Sequence, residues 1–342
     1  MPSYNSDHQR NSSILDIPSD IFRTNILTRL DGSSLVSTGS ASSELNKFCK
    51  DENLWKNICN STWPSTDDRR LLDIIDTFPA GYRSFFADCH PSLDHSPNPK
   101  VHLDQEVDDY CSLKISELIS AVDIHYDNKL IYSKVHATET STDWFLSSPF
   151  RVDLLDPKET IPTPVSVFEG NVDLFRSQLD KNLTLSWILV DPLNRRAANL
   201  SSLTPVSVER HWLNQDVRAH YMTSLPGFFV GKSLEFVQCS IVVVCGGTGG
   251  DLQVKEVSLQ VQDMDGKSLN GRESLVLLHE AMEGQRKKKG KREEERERYE
   301  EFMEMRRERG ERRQRKERRM DMVCMLAGIT VFMAFFGLLW LR

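Results

Sequence analysis

The chain has few of the features that mark secreted or metal-binding proteins. Its seven cysteines are an odd number, widely spaced, and form no Cys-x-x-Cys pair. We therefore expect reduced thiols that mostly fill the core, and neither a disulfide framework nor a zinc site. The first residues, MPSYNSDHQRNSS, contain no apolar run, so no secretory signal is predicted.

Positive charge is scarce in the first 285 residues. The chain carries a formal charge of −7, whereas residues 286–342 hold 18 Lys and Arg against 11 Asp and Glu, a net of +7, which leaves −14 on residues 1–285. Phosphate contacts need clustered Lys and Arg side chains. The acidic body is therefore not expected to bind nucleic acid.

Segments that suggest catalysis are incomplete. Val-Gly-Lys-Ser at 230–233 lacks the glycine that a P-loop needs five positions before Gly231, where Pro226 stands. The glycine-rich segment after Cys245 leads into a predicted strand and not into a helix, and His211 and His220 show no metal-ligand spacing. We predict no catalytic residue, no metal and no cofactor. An enzyme with a small-molecule pocket in the predicted sheet is kept as an alternative.

One long uncharged run is present, at 322–341. A helix of this length spans about 30 Å, the thickness of the hydrocarbon core of a bilayer. The flank at 306–319 has nine basic and three acidic residues, which places it and the preceding body in the cytosol. We predict a transmembrane tail anchor, with a buried helix of a soluble domain as the alternative. The predicted membrane-facing side chains are those of Met322, Leu326, Phe332, Phe336, Leu339 and Trp340.

Residues 284–321 alternate Glu and Arg at three- and four-residue spacings. Such pairs support a solvated helix without a core, so a stalk is expected that lifts the body off the membrane and touches anionic lipid with its Arg and Lys. The stretch RKKKGKR at 286–292 is alternatively a nuclear import signal. The expected location is a membrane, first of all the endoplasmic reticulum, with nucleus or cytoplasm as the alternative.

Near the start, apolar residues recur at helical spacing. Pro18 suits a first helical turn, Asp31-Gly32 is expected to end the helix, and Ser33 or Ser34 and then Ser42 or Ser43 are expected to cap two further helices. The apolar stripe consists of Ile17, Ile21, Phe22, Ile26, Leu27 and Leu30. Small residues at 37–43 allow close helix contact. The bulk that closes the bundle comes from Leu45, Phe48, Leu54, Trp55 and Ile58.

The order Ile-Pro-x-Asp-Ile-Phe, Ile-Leu-x-Arg-Leu, ASSELNKFC, NLW and WPS resembles the F-box of a plant F-box protein family. In that family the first helices dock on a Skp-family adaptor that is carried by a cullin. The resemblance implies that this contact or its supporting core uses Ile17, Pro18, Ile21, Phe22, Ile26, Leu27 and Leu30. Ile17 stands where the family usually has Leu, and Phe48-Cys49 stands near the place of a Val-Cys-Lys-x-Trp pattern. A helical bundle without a partner is the alternative.

Beyond a short helix at 67–78, the period of the apolar residues changes to two from about residue 113. Strands are predicted through SAVDIHYDNKLIYSKVHA, with a hairpin turn at Asp127-Asn128, and through WFLSSPFRVDLL, LTLSWILVDP, PVSVERHWL, DVRAHYMTSL and LEFVQCSIVVVC. A further strand is predicted through DLQVKEVSLQVQDM, with a β-bulge at Lys255-Glu256. A strand buried on both faces is predicted at Val242–Val244, and a closing helix is predicted through RESLVLLHEAMEG at 272–284. LSWILVDPLNRRAANLSS and PVSVERHWL also resemble the C-terminal region of the same family.

The predicted fold class is α+β: an N-terminal three-helix F-box bundle, a mostly antiparallel, sandwich-like β domain, a charged helical stalk and a C-terminal transmembrane helix. The predicted divisions are 1–13 N-terminal segment without structure, 14–63 F-box, 64–112 connecting helices and linker, 113–283 β-rich recognition domain, 284–321 stalk and 322–341 anchor.

The resemblance implies a non-catalytic substrate receptor of a Skp–cullin–F-box ubiquitin ligase. Its expected partners are a Skp-family adaptor, a cullin through that adaptor, an unidentified client protein and membrane lipid. A membrane-tethered interaction protein that acts outside a cullin complex is the alternative.

Overall fold

A computed structural model describes residues 18–90, 92–93, 115–166, 172–211, 216–230, 233–246, 251–284, 286–287 and 292–340. The chain divides into two compact units, Met1–Ala87 and Asp88–Arg342. The protein is a mixture of helices and antiparallel sheets that ends in a long helix.

The first unit is helical. It begins with a helical run that is α-helical over Ser19–Ile21 (α1), π-helical over Phe22–Ile26 and 3-10-helical over Leu27–Arg29. The helices that follow are α2 (Gly32–Ala41), α3 (Ser43–Phe48), α4 (Glu52–Thr62), α5 (Arg69–Ile75) and α6 (Gly81–Cys89), the last of which continues into the second unit.

Short polar side chains determine where these helices begin. The carboxylate of Asp31 accepts a hydrogen bond from the backbone N–H of Ser34 at 2.8 Å and caps α2, and Ser42 caps α3 in the same way, as predicted. The expectation that Ser33 or Ser34 caps α2 was wrong, because a carboxylate at a helix N-terminus also interacts with the helix dipole. Pro18 occupies the N-cap position of α1 and not its first turn.

Aromatic side chains fill the core of the first unit. The indole N–H of Trp55 donates to the carbonyl of Cys49 at 2.7 Å, and the ring centroid of Phe86 lies 5.3 Å from that of Trp55 and 5.6 Å from that of Trp63. Gly32 lies close to the ring of Phe86: if residue 32 carried a Cβ, that atom would lie 2.1 Å from Phe86. Within the small-residue stretch at 37–43, a Cβ on Gly39 would lie 3.3 Å from the Cβ of Cys49, so this glycine allows α2 to pack closely on the end of α3.

The second unit contains two antiparallel sheets. One has the order β4-β11-β10-β9-β8, with β5 also paired to β11, and the other has the order β3-β2-β6-β7. The strands are β1 (Ser92–Leu93), β2 (Glu117–Tyr126), β3 (Lys129–Glu139), β4 (Arg151–Asp153), β5 (Ile161–Ser166), β6 (Leu183–Asp191), β7 (Arg196–Asn199), β8 (Ser207–Arg210), β9 (Val217–Val230), β10 (Ser233–Gly246), β11 (Asp251–Gln262) and β12 (Arg286–Lys287). The helices are α7 (Asp143–Ser147), α8 (Val172–Asn182), α9 (Gly271–Glu283) and α10 (Arg292–Trp340). Side chains of both sheets, among them Trp187 and Ile241, belong to one continuous apolar core.

Local sequence signals locate two backbone irregularities correctly. Asp127 and Asn128 connect β2 to β3 with positive φ angles of 48° and 60°, as a tight hairpin requires. In β11 the pairing with β10 shifts between Glu256 and Val254, so that Lys255 is the extra residue of a bulge. The apolar side chains on both sides of the shift stay buried, which explains the phase change in the sequence.

Two predictions about strands were wrong. WFLSSPFRVDLL opens as helix α7, because Thr142 accepts from the N–H of Phe145 and caps it, and only β4 is extended. In β10, Val243 is fully buried while Val242 and Val244 are half-buried. That strand therefore has one core face, as is usual in an antiparallel sheet.

The guanidinium of Arg286 connects several segments of the second unit. It donates to the carbonyls of Asp88 (3.1 Å), Ala197 (3.0 Å), Ala281 (2.7 Å), Met282 (2.8 Å) and Gly284 (3.0 Å). Burial lowers the pKa of Arg286. The first residue of the basic stretch at 286–292 is thus held in the fold by backbone carbonyls.

The expectation that residues 284–321 form a solvated helix without a core is corrected by the structure. Phe302 of α10 is 1% exposed and packs with Val206, Met222 and Met264. Arg292 pairs with Asp180 at 3.1 Å, and Arg296 pairs with the same carboxylate. The first half of α10 therefore has an apolar core contact, which a charge count over the segment conceals.

Further along α10, the turn after β11 provides the last contacts with the body. Arg309 lies 3.1 Å and Arg313 3.9 Å from the carboxylate of Asp265. Gly266 in this turn has φ +77°, and a Cβ there would lie 1.9 Å from Arg306. We call residues 292–313, which run from the first to the last of these contacts, the docked segment of α10.

Candidate functional site

The helical run Ser19–Arg29 combines buried and exposed apolar side chains. Phe22 (6% exposed) and Leu27 (0%) face the core, whereas Ile21 is 49% exposed, and Ile26 and Leu30 are half-buried. The run therefore presents one exposed isoleucine, two half-buried apolar residues and two buried ones.

At the N-terminal end of the predicted adaptor-binding stripe, the structure describes only one of the first two residues. Pro18 is exposed at the N-cap of α1, and Ile17 lies outside the described residues. The switch from α- to π- and then 3-10-helical pairing over Ser19–Arg29 is typical of a helix whose hydrogen bonding is adapted to local packing.

Phe48 of α3 packs against the helical run Ser19–Arg29. Its ring centroid lies 5.9 Å from that of Phe22, and the guanidinium of Arg23 lies 5.0 Å from the Phe48 centroid. These contacts hold the run against α3 through aromatic and cation–π attraction. Arg23 was not singled out from the sequence, because its partner lies 25 positions away in a separate helix.

The residues predicted to close the bundle differ in how deeply they are buried. Leu54 (7% exposed) and Trp55 (1%) are buried, while Leu45, Phe48 and Ile58 are half-buried. The two buried residues belong to α4, and the half-buried ones leave apolar edges at the surface of the unit.

Val36 in α2 is a further exposed apolar residue that the sequence reasoning missed. It is 53% exposed and follows the fully buried Leu35. Neighbouring hydroxyl groups are satisfied within the helix, as with Ser40, which donates to the carbonyl of Val36 at 2.9 Å. The sequence contains one indication that Val36 is exposed, because the serines around it offer no other apolar contact.

In the first unit the buried hydroxyl of Tyr82 has no hydrogen-bond partner among the described residues, whereas the backbone N–H of Tyr82 is bonded. Glu52 accepts a hydrogen bond from the backbone N–H of Tyr82 at 2.6 Å, next to Gly81 with φ +49°. Burial, followed by nearby carboxylates, raises the pKa of Tyr82 to about 12, and burial also raises the pKa of the Cys59 thiol. Both groups are therefore protonated at neutral pH and are poor nucleophiles.

Within the described ranges, no group of three or more His, Cys, Asp or Glu is arranged to hold a metal ion. Burial lowers the pKa of His125, His136 and His220. The described cysteines are free thiols; Cys239 and Cys245 are buried in the sheet, which raises the pKa of each to about 12.

The end of α10 is apolar and uncovered. This helix is long and apolar enough to cross a membrane by length and composition, with a mean hydropathy of 1.9 in its most apolar window and none of that window buried. The predicted anchor residues are exposed: Met322 (60%), Leu326 (58%), Phe332 (61%), Phe336 (51%), Leu339 (56%) and Trp340 (93%).

Comparisons with known proteins show the family of the chain. No family model matches it, and no solved structure does. Three Arabidopsis thaliana relatives are similar to it. One F-box protein is 46% identical over 280 residues (79% of this chain, 74% of the relative), another is 39% identical over 344 residues (96% and 97%), and a probable F-box protein is 44% identical over 273 residues (80% and 76%). At this identity and coverage, the chain belongs to the plant F-box protein family.

Proposed function

We propose that this protein is the substrate receptor of a Skp–cullin–F-box ubiquitin ligase and that it works from a membrane surface. F-box proteins are generally non-catalytic adaptor subunits, and the family name implies partnering with Skp and cullin. In this proposal the chain breaks and forms no bonds itself. It holds a client near the conjugating enzyme and so raises the effective concentration of the client's lysines.

Within this proposal, residues 14–63 form the F-box bundle and residues 113–283 form a sandwich-like recognition domain that holds the client. The Skp-family adaptor covers the apolar stripe of the helical run Ser19–Arg29. The observation that carries the proposal is Ile21, which is 49% exposed between the N-cap and the buried Phe22. An apolar side chain so placed supplies binding energy without being needed for the core.

A pull-down with the full chain tests the adaptor contact. Ile21→Asp places a charge in the proposed interface and is expected to reduce capture of a purified Skp-family adaptor strongly, and the double variant with Pro18→Ala is expected to abolish it. Leu193→Asp, at a turn residue that is 57% exposed in the second unit, is the matched control and is expected to bind normally.

Equal capture by the Ile21→Asp and control variants contradicts the proposed contact. If the unaltered chain captures no adaptor, the protein is instead a membrane-tethered interaction protein outside cullin complexes.

We further propose that residues 322–341 anchor the protein in a membrane, with the body in the cytosol and the endoplasmic reticulum as the first expected location. The support is the exposed apolar length of α10 after the basic flank. The anchor restricts the clients to membrane proteins or membrane-associated proteins. A chain truncated before Met322 is expected to leave the membrane fraction, and retention of that chain in the membrane contradicts the anchor.

A further inference from the structure

The basic residues of α10 fall into two groups, of which the first is paired. Between Arg307 and Arg315 the guanidinium groups meet carboxylates. These pairs are Arg307–Glu304 (3.4 Å), Arg309–Asp265 (3.1 Å), Arg312–Glu308 (3.1 Å), Arg313–Glu317 (3.1 Å) and Arg315–Glu311 (3.2 Å). The acidic residues of this stretch are thereby neutralised within the helix or the body.

The second group is left without acidic partners in the described part of the chain. Lys316, Arg318 and Arg319 are exposed and take part in none of the ion pairs along α10. Asp321 is the remaining carboxylate nearby and is also exposed. With Glu317 engaged by Arg313, this group of four residues has a net charge of +2.

The position of this group along α10 matches one layer of a bilayer. At about 1.5 Å per residue, Arg319, Arg318 and Lys316 lie roughly 4.5, 6 and 9 Å before Met322. The polar headgroup region on each side of the hydrocarbon core is about 5–7 Å thick. If the apolar run starts at the hydrocarbon boundary, Arg319 and Arg318 lie within this headgroup layer, and Lys316 lies just beyond it on the side of the body.

Docking of α10 on the body limits how these cations can move. Arg309 and Arg313 are held at Asp265, and the helix continues without a break from Arg292 to Trp340. The cations are therefore presented from a helix that is fixed to the body on one side and, by the proposed function, to the bilayer on the other.

We propose that Lys316, Arg318 and Arg319 form a binding site for the phosphate headgroups of anionic phospholipids. This inference rests on the proposed membrane anchor and adds to it a preference for one lipid class. Guanidinium groups bind phosphate oxygens in a bidentate manner, and the lysine adds a point charge. The paired arginines between Arg307 and Arg315 contribute less, because carboxylates already engage them.

The full chain tests this site in mixed micelles that contain equal amounts of phosphatidylserine and phosphatidylcholine. After washing, the two retained lipids are quantified by mass spectrometry. The unaltered chain is expected to retain more phosphatidylserine. The variant K316Q/R318Q/R319Q is expected to lose this preference, by about fivefold for each charge removed. Raising the salt concentration is expected to weaken the preference in the unaltered chain.

The matched control removes three exposed cations elsewhere in the second unit. The variant K129Q/R176Q/K181Q changes side chains that are exposed in β3 and α8 and is expected to keep the preference for phosphatidylserine. A loss of equal size in this control overturns the site, because it indicates a general charge effect.

Resistance to alkaline carbonate extraction distinguishes failure of the headgroup site from failure of the membrane anchor. If both the unaltered chain and K316Q/R318Q/R319Q resist extraction but retain the two lipids in the same ratio, the headgroup site is overturned while the anchor stands. If the unaltered chain is extracted, the anchor fails and this inference fails with it.

Discussion

Trp55 contributes both volume and a hydrogen bond to the first unit. It is 1% exposed, and its indole N–H donates to the Cys49 carbonyl at 2.7 Å. Trp55→Phe leaves that buried carbonyl without this donor, which is expected to lower the free energy of unfolding by about 1–3 kcal/mol. Urea denaturation followed by circular dichroism measures the change. Trp144→Phe, at a side chain that is 77% exposed, is the control and is expected to change stability by less than about 0.5 kcal/mol.

His220 is expected to make the second unit less stable in acid. Burial lowers its pKa; Glu209 opposes that shift and Arg218 adds to it. Since the unfolded chain takes up a proton at about pH 6.5 and the folded chain only at lower pH, stability is present above that pH and is lost as the pH falls below it. His220→Gln is expected to flatten the decrease of the melting temperature between about pH 7 and pH 5. An unchanged slope contradicts the assignment.

Residue-scale features were predictable from sequence where the signal is local. Ser42 was identified as a helix cap because a hydroxyl residue precedes an acidic first turn, and Asn128 as a turn residue because it tolerates positive φ. The exposure of Val36 and the contact of Arg23 with Phe48 depend on how separate helices meet. Periodicity along one helix does not contain that information.

At the scale of elements, the docked segment of α10 depends on Phe302. Phe302→Asp places a carboxylate among Val206, Met222 and Met264 and is expected to undock the helix, since losing such a buried aromatic side chain costs about 3–5 kcal/mol. Limited trypsin digestion should then cut at the arginines of residues 292–313 at least roughly 100-fold faster, if opening is in rapid equilibrium.

Met305→Asp is the control for this digestion, because Met305 is 43% exposed on the same helix. Its cleavage rate should match that of the unaltered chain. Equal acceleration in both variants contradicts a specific role for Phe302.

Element-scale prediction succeeded for β11 and failed for α10 for related reasons. Around Lys255 the alternation of apolar and polar residues shifts by one position, which is a local sequence signal of the bulge. In α10 one buried phenylalanine and four arginines contact the body, amid a segment whose composition is typical of a solvated helix. A few docking residues in a long charged helix are too sparse to shift a pattern-based prediction.

At the scale of the whole molecule, the boundary of the second unit lies beyond the predicted end of its β domain at residue 283. A chain that ends after Lys291 keeps Arg286 but loses Phe302 and the partners of Asp180. It is expected to be less stable than a chain that ends after Arg319, by about 3–5 kcal/mol. Thermal unfolding and light scattering of the two shortened chains measure the difference, and equal melting temperatures contradict it.

The docked helix also sets an order of events during translation. The strands that carry Met222 and the turn that carries Met264 are synthesised before Phe302, so the nascent body displays an uncovered apolar patch until α10 follows. The same helix provides the proposed insertion signal for the bilayer. Completion of the body and delivery to the membrane therefore use two parts of one helix, residues 292–313 and residues 322–341, and a chaperone that shields the whole of α10 would delay both.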